Sequence, residues 1–333
     1  MPTALVTGAT GLVGMHLVPR LQREGWDVRA LVRDPGRAGV LGRADVTLAT
    51  GDVLDQPSFV RAARACDVVF HAAAVITPAG GWETFRRPNV EGTRNAIAAA
   101  RSASARLVHV SSVAVYGDHR YAAGGERTDE SSVGGRIAED SYYARSKRES
   151  EELVFAAQRA GELWATAVRP CVLYGPFDRQ FVPRLARLLT RGFAPVIAGG
   201  RNTLAVVHAA NVVDGLVRAA AFDGANGKAY NLANDYDVTV REFFERAAEG
   251  LDRRVRIVSI PMLVARAAFT VAAAVAPLVV GDQFKSQTAA SFDFLARDNP
   301  FSSDLARLEL GWDPPVRPET GIVEAFRWWS AHH

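Results

Sequence analysis

The sequence predicts an α/β protein. A doubly wound parallel sheet is expected over residues 1–172, with a smaller C-terminal lobe over 173–333 and residues 203–235 returning to the sheet domain. Three observations predict it. Short apolar runs of strand type alternate with helix-length amphipathic stretches from Thr3 to Pro170, the pattern of a parallel sheet covered by helices on both faces. A glycine-rich turn separates the first strand from the first helix. Beyond Pro170 the alternation loosens and no second glycine-rich turn follows. With 333 residues and 48% apolar content, the chain is long enough for one large or two small domains with a sizeable core.

In chain order, Thr3–Thr7 is the first strand and Leu12–Arg23 the first helix, ending at Gly25. Between them lies Gly8-Ala9-Thr10-Gly11-Leu12-Val13-Gly14. A tight turn uses the same residues. Placed between a first strand and a helix, however, it suits the pyrophosphate of a dinucleotide resting on the helix N-terminus. Glycine is required there because a Cβ would block close approach of backbone to phosphate. The spacing is Gly-x-x-Gly-x-x-Gly instead of the commoner Gly-x-Gly-x-x-Gly.

The second strand, Asp27–Arg33, should meet the adenosine ribose at its C-terminal end. An acid there would bond the 2′-hydroxyl of NAD. Arg33 stands there instead, which suits the 2′-phosphate of NADP, with Arg37 as a second cation. NADP is therefore the favoured cofactor, and Asp34, the next residue, leaves NAD open. Val46–Leu48 is the third strand, followed by Gly51-Asp52-Val53. Asp52 either reaches the adenine or caps the helix that starts near Pro57. The fourth strand, Asp67–His71, ends in Ala72-Ala73-Ala74, small residues that leave room for a ligand.

A long helix is expected over Thr84–Arg101, carrying Asn89. The fifth strand, Leu107–Val110, delivers Ser111 and Ser112 to the sheet's carboxyl edge, where open α/β sheets bind ligands. Residues 117–140 lack periodicity and are expected to form a lid-type loop. A helix then runs from Ser141 to about Gly161, and a sixth strand, Leu163–Val168, is stopped by Arg169-Pro170. In the second half, helices are expected at 178–191, 209–222, 239–250, 260–276, 302–310 and 319–331, and strands near 194–197, 204–207 and 229–232.

The chemistry centres on Tyr143 and Lys147, four apart and so on one helix face. An ordinary tyrosine titrates near pH 10, and a neighbouring ammonium lowers that value, making the phenol usable as an acid or base near neutrality. His71, His109 and His208 are weaker candidates, since a histidine beside a core strand is more often a packed structural residue.

Other features narrow the function. The 39 basic and 36 acidic residues are interspersed, for a net charge of +3, which excludes a nucleic-acid partner. The two cysteines, Cys66 and Cys171, form no metal or disulfide pattern, in keeping with a reducing compartment. No metal is expected. Strand structure begins at Thr3, leaving no room for a signal peptide, so a cytoplasmic location is expected. Met262–Val280 is very apolar, but Arg266 and Pro277 interrupt it. Its uninterrupted core from Ala267 to Ala276 is ten residues, against roughly 20 for a bilayer span. A buried helix or a flap over an apolar ligand is expected, with weak membrane-surface contact as the alternative.

These residues together resemble the extended short-chain dehydrogenase/reductases, which carry a Rossmann-type domain. The resemblance spans nearly the whole chain. It rests on Thr7-Gly8-x-x-Gly11-x-x-Gly14, Gly51-Asp52-Val53, Asn89-Val-Glu-Gly-Thr93, Ser111-Ser112-Val-Ala-Val-Tyr116-Gly117, Tyr143-x-x-x-Lys147, Arg169-Pro170-Cys-Val172-Leu-Tyr174-Gly175-Pro176, and the closing run Phe301 to Trp312. It implies Ser112, Tyr143, Lys147 and Asn89 as catalytic residues. It further implies that Ala72, Ala73, Pro170 and Val172 line the cofactor. Asn211, where sugar-nucleotide epimerases and dehydratases usually carry Asp, resembles the 3β-hydroxysteroid and sterol dehydrogenase branch, and Arg33-Asp34-Pro35 with the run Arg169-Pro170-x-x-x-Tyr174-Gly175-Pro176 resembles dihydroflavonol-reductase-like members. The implied reaction is hydride transfer between a nicotinamide and a secondary alcohol or ketone on a mainly apolar, steroid-, terpenoid- or flavonoid-like molecule. A sugar-nucleotide epimerase or dehydratase is the alternative, and a non-catalytic NADP-binding sensor a second. The resemblance also implies a homodimer through the helices carrying Asn89 and Tyr143.

Overall fold

In the computed structural model, which describes all residues except 40, 42–44, 77–79, 121–126, 234 and 281–290, the first strand lies inside a seven-stranded sheet. β1 (Thr3–Thr7) pairs with β2 (Asp27–Val32) on one side and β4 (Val68–His71) on the other. β3 (Thr47–Thr50) extends the β2 side. β5 (Arg106–Val110), β6 (Ala165–Pro170) and β10 (Ala229–Leu232) extend the β4 side, and every pair is parallel. The strand order β10-β6-β5-β4-β1-β2-β3 reverses direction between β1 and β4. That reversal opens a crevice at the carboxyl edge, the usual ligand position in such sheets. The register aligns Thr7 with His71 and His71 with His109, so Gly8, Ala72 and Val110 stand at one level at the carboxyl edge.

Alternation along β1 explains how both faces are buried. Ala4 and Val6 join the core that includes Leu17, Leu216 and Trp312, while Leu5 joins the core of Phe59, Ile97 and Val154. The first core lies under α1 (Leu12–Arg23) and α7 (Ala209–Ala221), and the second under α2 (Gln56–Ala63), α4 (Gly92–Ala103) and α5 (Tyr142–Arg159). A third core, around Phe243, Phe326 and Val196, holds the remaining lobe. It joins α6 (Phe181–Leu189), α8 (Val240–Gly250) and the C-terminal helix Pro318–His332. A capping box between Thr239 and Glu242 starts α8.

Several expectations need correcting. The single helix over Thr84–Arg101 is three segments: α3 (Trp82–Phe85), a π-helical stretch Arg86–Glu91, and α4. Pro88 supplies the reason, since it has no N–H for the i→i−4 ladder. Arg169 and Pro170 do not stop β6 but end it: β5 reaches only Val168, and Pro170 sits opposite Leu232 of β10. Two strands were not expected. β7 (Val172–Tyr174) pairs with β9 (Val206–His208), and β11 (Arg256–Ile260) with β8 (Phe193–Ile197). The 117–140 segment is less lid-like than its composition suggests. Thr128 bridges Phe301 and the Glu130 carboxylate accepts from the Asn231 backbone N–H at 2.7 Å, while 121–126 lie outside the described residues.

α9 (Met262–Val280) is the largest departure. Among residues 262–272, only Ala265 is buried. No described helix is long and apolar enough to cross a membrane.

Candidate active site

The first structural element of the site is the turn after β1. Gly8 has φ 66°, and a Cβ there would lie 2.8 Å from the Ala73 nitrogen and 2.9 Å from the Ala72 carbonyl oxygen. Ala72 and Ala73 therefore pack on the turn itself. Gly11 is the N-cap of α1, in extended backbone, and no side chain caps the helix. The first N–H groups of α1 are thus left for a ligand. A Cβ on Gly11 would meet only the Gly8 carbonyl oxygen, at 3.1 Å, so space lies in front of the helix. Thr10 and Leu12 are half-buried at this mouth, whereas Val13 and Gly14 face inward. Gly14 serves packing: a Cβ there would stand 2.4 Å from both the Gly8 oxygen and the Ala9 Cα. This uncapped, Cβ-free cradle fits a pyrophosphate.

Thr7 ties β1 to β4. Its hydroxyl accepts from the Ala73 N–H at 3.2 Å and lies 2.9 Å from His71 Nδ1. His71 stacks on His109 at 5.7 Å, and burial holds His71 down to about pKa 3 and His109 well below its ordinary value. Both rings are neutral core groups. His208 is similar: its Nδ1 accepts from the Ala210 N–H at the start of α7, and burial lowers it to about 3.

At the end of β2, Arg33 is exposed. Asp34 is occupied in its own turn, accepting from the Gly36 N–H at 2.9 Å, and Arg37, the expected second cation, sits 3.6 Å from the Asp34 carboxylate. Asp52 accepts from the Leu54 N–H at 2.9 Å and does not cap α2, whose N-cap is Asp55. The carbonyl of Val53 accepts from Asn95 Nδ2 at 2.8 Å. Pro170 and Val172 lie at the junction of β6 and β7.

The register brings the candidate catalytic residues together. Ser112 follows β5; its hydroxyl accepts from the Ala114 N–H at 3.2 Å and stands close enough to the Tyr143 phenol to act on its proton. Burial pushes the Tyr143 phenol up, and the Ser112 hydroxyl pulls it the other way. The expected depression by Lys147 is not found. The Lys147 ammonium donates to the Val110 carbonyl at 2.7 Å, and burial lowers it to about pKa 8. Asn89 is buried in the π-helical stretch. It donates to the Val75 carbonyl at 2.9 Å and to the Ser146 hydroxyl at 2.9 Å, and accepts from the Val75 N–H at 2.8 Å. It thus fastens the loop after β4 to α5, one residue from Lys147. π-Helical bulges often occur at functional sites.

Two residues escaped the sequence reading. Glu151 continues the Tyr143–Lys147 face by another four residues and is buried, as is Arg169 in β6. They form a two-pronged ion pair, with Arg169 nitrogens 2.6 and 3.0 Å from the two Glu151 oxygens. Arg169 also donates to the Tyr116 hydroxyl at 2.8 Å, which in turn donates to Asn231 Oδ1 at 2.7 Å. An arginine inside an otherwise apolar strand was the available signal. Asn211 is a bracket for the fold. It donates to the Asp235 carboxylate and the Val316 carbonyl, each at 2.8 Å, and accepts from the Val316 N–H at 2.8 Å.

Comparison with known proteins agrees with this geometry. The family model described as "NAD dependent epimerase/dehydratase family" matches residues 4–233. A 4-hydroxy-2-methyl-3-oxo-4-farnesyl-3,4-dihydroquinoline-1-oxide ketoreductase from Stigmatella aurantiaca is 31% identical over 318 residues, covering 95% of this chain and 93% of its own. A 3beta-hydroxysteroid-dehydrogenase/decarboxylase isoform 1 from Arabidopsis thaliana is 30% identical, covering 96% and 77%. The solved structure of gox2253 superposes with TM-score 0.80 at 25% identity, over 100% of this chain and 99% of that one. The family match, these relatives and the seven-stranded sheet place the chain in the NAD dependent epimerase/dehydratase family, the extended short-chain dehydrogenase/reductases, as an NAD(P)-dependent oxidoreductase.

Proposed function

We propose that the protein interconverts a ketone and a secondary alcohol on a mainly apolar, steroid-, terpenoid- or flavonoid-like substrate, with NADP as the favoured cofactor. The observation that carries the reading is the buried Tyr143 phenol within reach of Ser112, with buried Lys147 one helical turn along, at the carboxyl edge of the sheet. In reduction, Tyr143 gives its proton to the substrate oxygen, and burial keeps the phenol protonated for that task. Ser112 hydrogen-bonds the same oxygen, where charge develops in the transition state. Lys147 holds positive charge one helical turn away, and Asn89 holds α5 and the 75 loop in register. When bound, the nicotinamide supplies or takes up the hydride.

Residues 1–172 with 203–235 hold the dinucleotide in this reading, and the rest of 173–333 the substrate. The Gly8–Gly14 turn takes the pyrophosphate, Asp52 and Val53 the adenine side, and Ala72, Ala73, Pro170 and Val172 the nicotinamide side. Exposed Arg33 takes the 2′-phosphate of NADP. Arg33→Ala should therefore weaken NADP binding by about tenfold or more while leaving NAD binding nearly unchanged. Equal losses in a fluorescence titration with both cofactors would sink the assignment.

The substrate class rests on the relatives, whose names specify a farnesylated ring ketone and a 3β-hydroxysteroid. Arg179, Arg184, Arg187 and Arg201, the lobe's candidates for a nucleotide diphosphate, are all exposed. Turnover of NADPH with a panel of steroid, terpenoid and flavonoid ketones, and none with UDP-sugars, is the expected result. Turnover of UDP-sugars alone would overturn it. A homodimer through α4 and α5 belongs to the same reading, supported by half-buried Phe155, although Ala96, Ala99, Ala100 and Val154 pack into this chain's own core. A monomer mass by light scattering would contradict it.

A further inference from the structure

One lobe of the molecule leaves a set of apolar side chains uncovered. Apolar side chains stand out of the fold along β8, β11 and α9: Phe193 is 43% exposed, Val258 40%, Leu263 80%, Val264 56% and Val271 63%. The β8–β11 register explains the strand portion. Phe193 lies opposite Arg256 and Pro195 opposite Val258, so these four share a face, while buried Ala194 and Val196 occupy the other. In α9 the outward stripe is Val264, Ala267, Ala268 and Val271, all exposed and spaced i, i+3, i+4, i+7. Ala265 and half-buried Phe269 face the other way. Leu263, Arg266, Thr270 and Ala272 are exposed as well, so α9 leaves uncovered an apolar stripe that a surface helix normally turns to the core.

The charges around the patch indicate what covers it. Arg191, Arg253, Arg254 and Arg256 are exposed and gather where the two parallel strands begin, since the Arg256 N–H donates to the Gly192 carbonyl at 3.0 Å. From Arg253 to Val280 the sequence holds four arginines and no acidic residue. Asp252, exposed beside Arg253, is the nearest acid along the chain. A second copy of this chain is a poor occupant, because a two-fold pairing of one face on itself would bring its arginines together.

We infer that this face docks on an anionic lipid bilayer, with α9 and the β8–β11 face against the acyl boundary and the arginines at the headgroup phosphates. The pairing of an apolar stripe with a cationic margin is what an interfacial helix uses. The inference concerns lipid docking by the outer surface of the C-terminal lobe and goes beyond the oxidoreductase reading.

The test is co-sedimentation of the full chain, without cofactor or substrate, with vesicles of phosphatidylcholine containing phosphatidylglycerol and with phosphatidylcholine alone. Binding should be stronger to the anionic vesicles by about tenfold and weaken with added salt. Val264→Asp/Val271→Asp should abolish binding to both vesicles. Arg253→Gln/Arg254→Gln/Arg256→Gln should remove the preference for anionic lipid. Thermal melting of each variant confirms that it is folded, and the two variants check each other. Absence of vesicle binding by the wild type overturns the inference, as does wild-type binding by the aspartate variant. A concentration-dependent dimer that the aspartate variant dissolves, without vesicle binding, assigns the face to a second copy and overturns it too. None of these outcomes bears on turnover, so failure here leaves the proposed reaction standing.

Discussion

Tyr143→Phe should lower kcat by about 10²–10⁴-fold, the ordinary worth of a positioned acid or base, while cofactor affinity stays close to that of the wild type. The phenylalanine ring fills the same space, and only the hydroxyl beside Ser112 is removed. Single-turnover measurement with NADPH separates the chemical step from binding. A variant retaining more than about a tenth of wild-type kcat would show that the proton comes from another group. The neutral, buried histidines offer no ready substitute, since His71 and His208 are held near pKa 3.

Glu151→Leu or Arg169→Met, each alone, should destabilise the protein by about 3–5 kcal/mol, because each leaves a buried charge without its partner. The pair is buried on both sides and joined by two short contacts. The double variant Glu151→Leu/Arg169→Met should recover much of that loss, since an apolar pair of similar volume removes both charges. Urea unfolding of the four proteins gives the coupling. Single variants within about 1 kcal/mol of the wild type would mean that water or a rearrangement satisfies the lone charge. Losing the pair should also loosen α5 against β6 and release Tyr116, so catalytic turnover should fall with stability in the single variants.

The first half of the fold was legible because its apolar strands are bounded by glycine, alanine or charged residues. The expected Leu12–Arg23 helix is the observed one, and Val46–Leu48 and Leu163–Val168 shift by two residues or fewer at either end. β11 was missed because the run Arg253-Arg254-Val255-Arg256, which leads into its first residue, hides the alternation on an exposed two-stranded sheet. The burial expected of α9 failed for a different reason. Hydropathy reports how apolar a segment is, not whether this chain supplies the surface to cover it. At the site, Tyr143 and Lys147 announce themselves by spacing on one helix. Glu151 and Arg169 do not, because their pairing depends on α5 packing against β6, which only the topology brings about. The direction of the Tyr143 shift was also beyond the sequence. It depends on how deeply the phenol is buried and on Lys147 spending its proton donor on Val110.

That last contact has a thermodynamic side. Burial has drawn Lys147 from 10.5 to about 8, so the folded chain, without cofactor, carries an ammonium it would rather release. Below pH 8 the cost is present in full. As pH rises from about 8 toward 10.5, the unfolded state binds the proton and the folded state does not, so stability rises across that window. The shift sets a ceiling of about 3 kcal/mol. Wild type should therefore gain on Lys147→Met as pH climbs from 7 to about 9.5, an unfolding difference that would stay flat if the lysine titrated normally. The protein keeps a group that weakens its empty fold. Under the proposed reaction that ammonium stands one helical turn from Tyr143, so the fold bears the cost at the place where its chemistry is done.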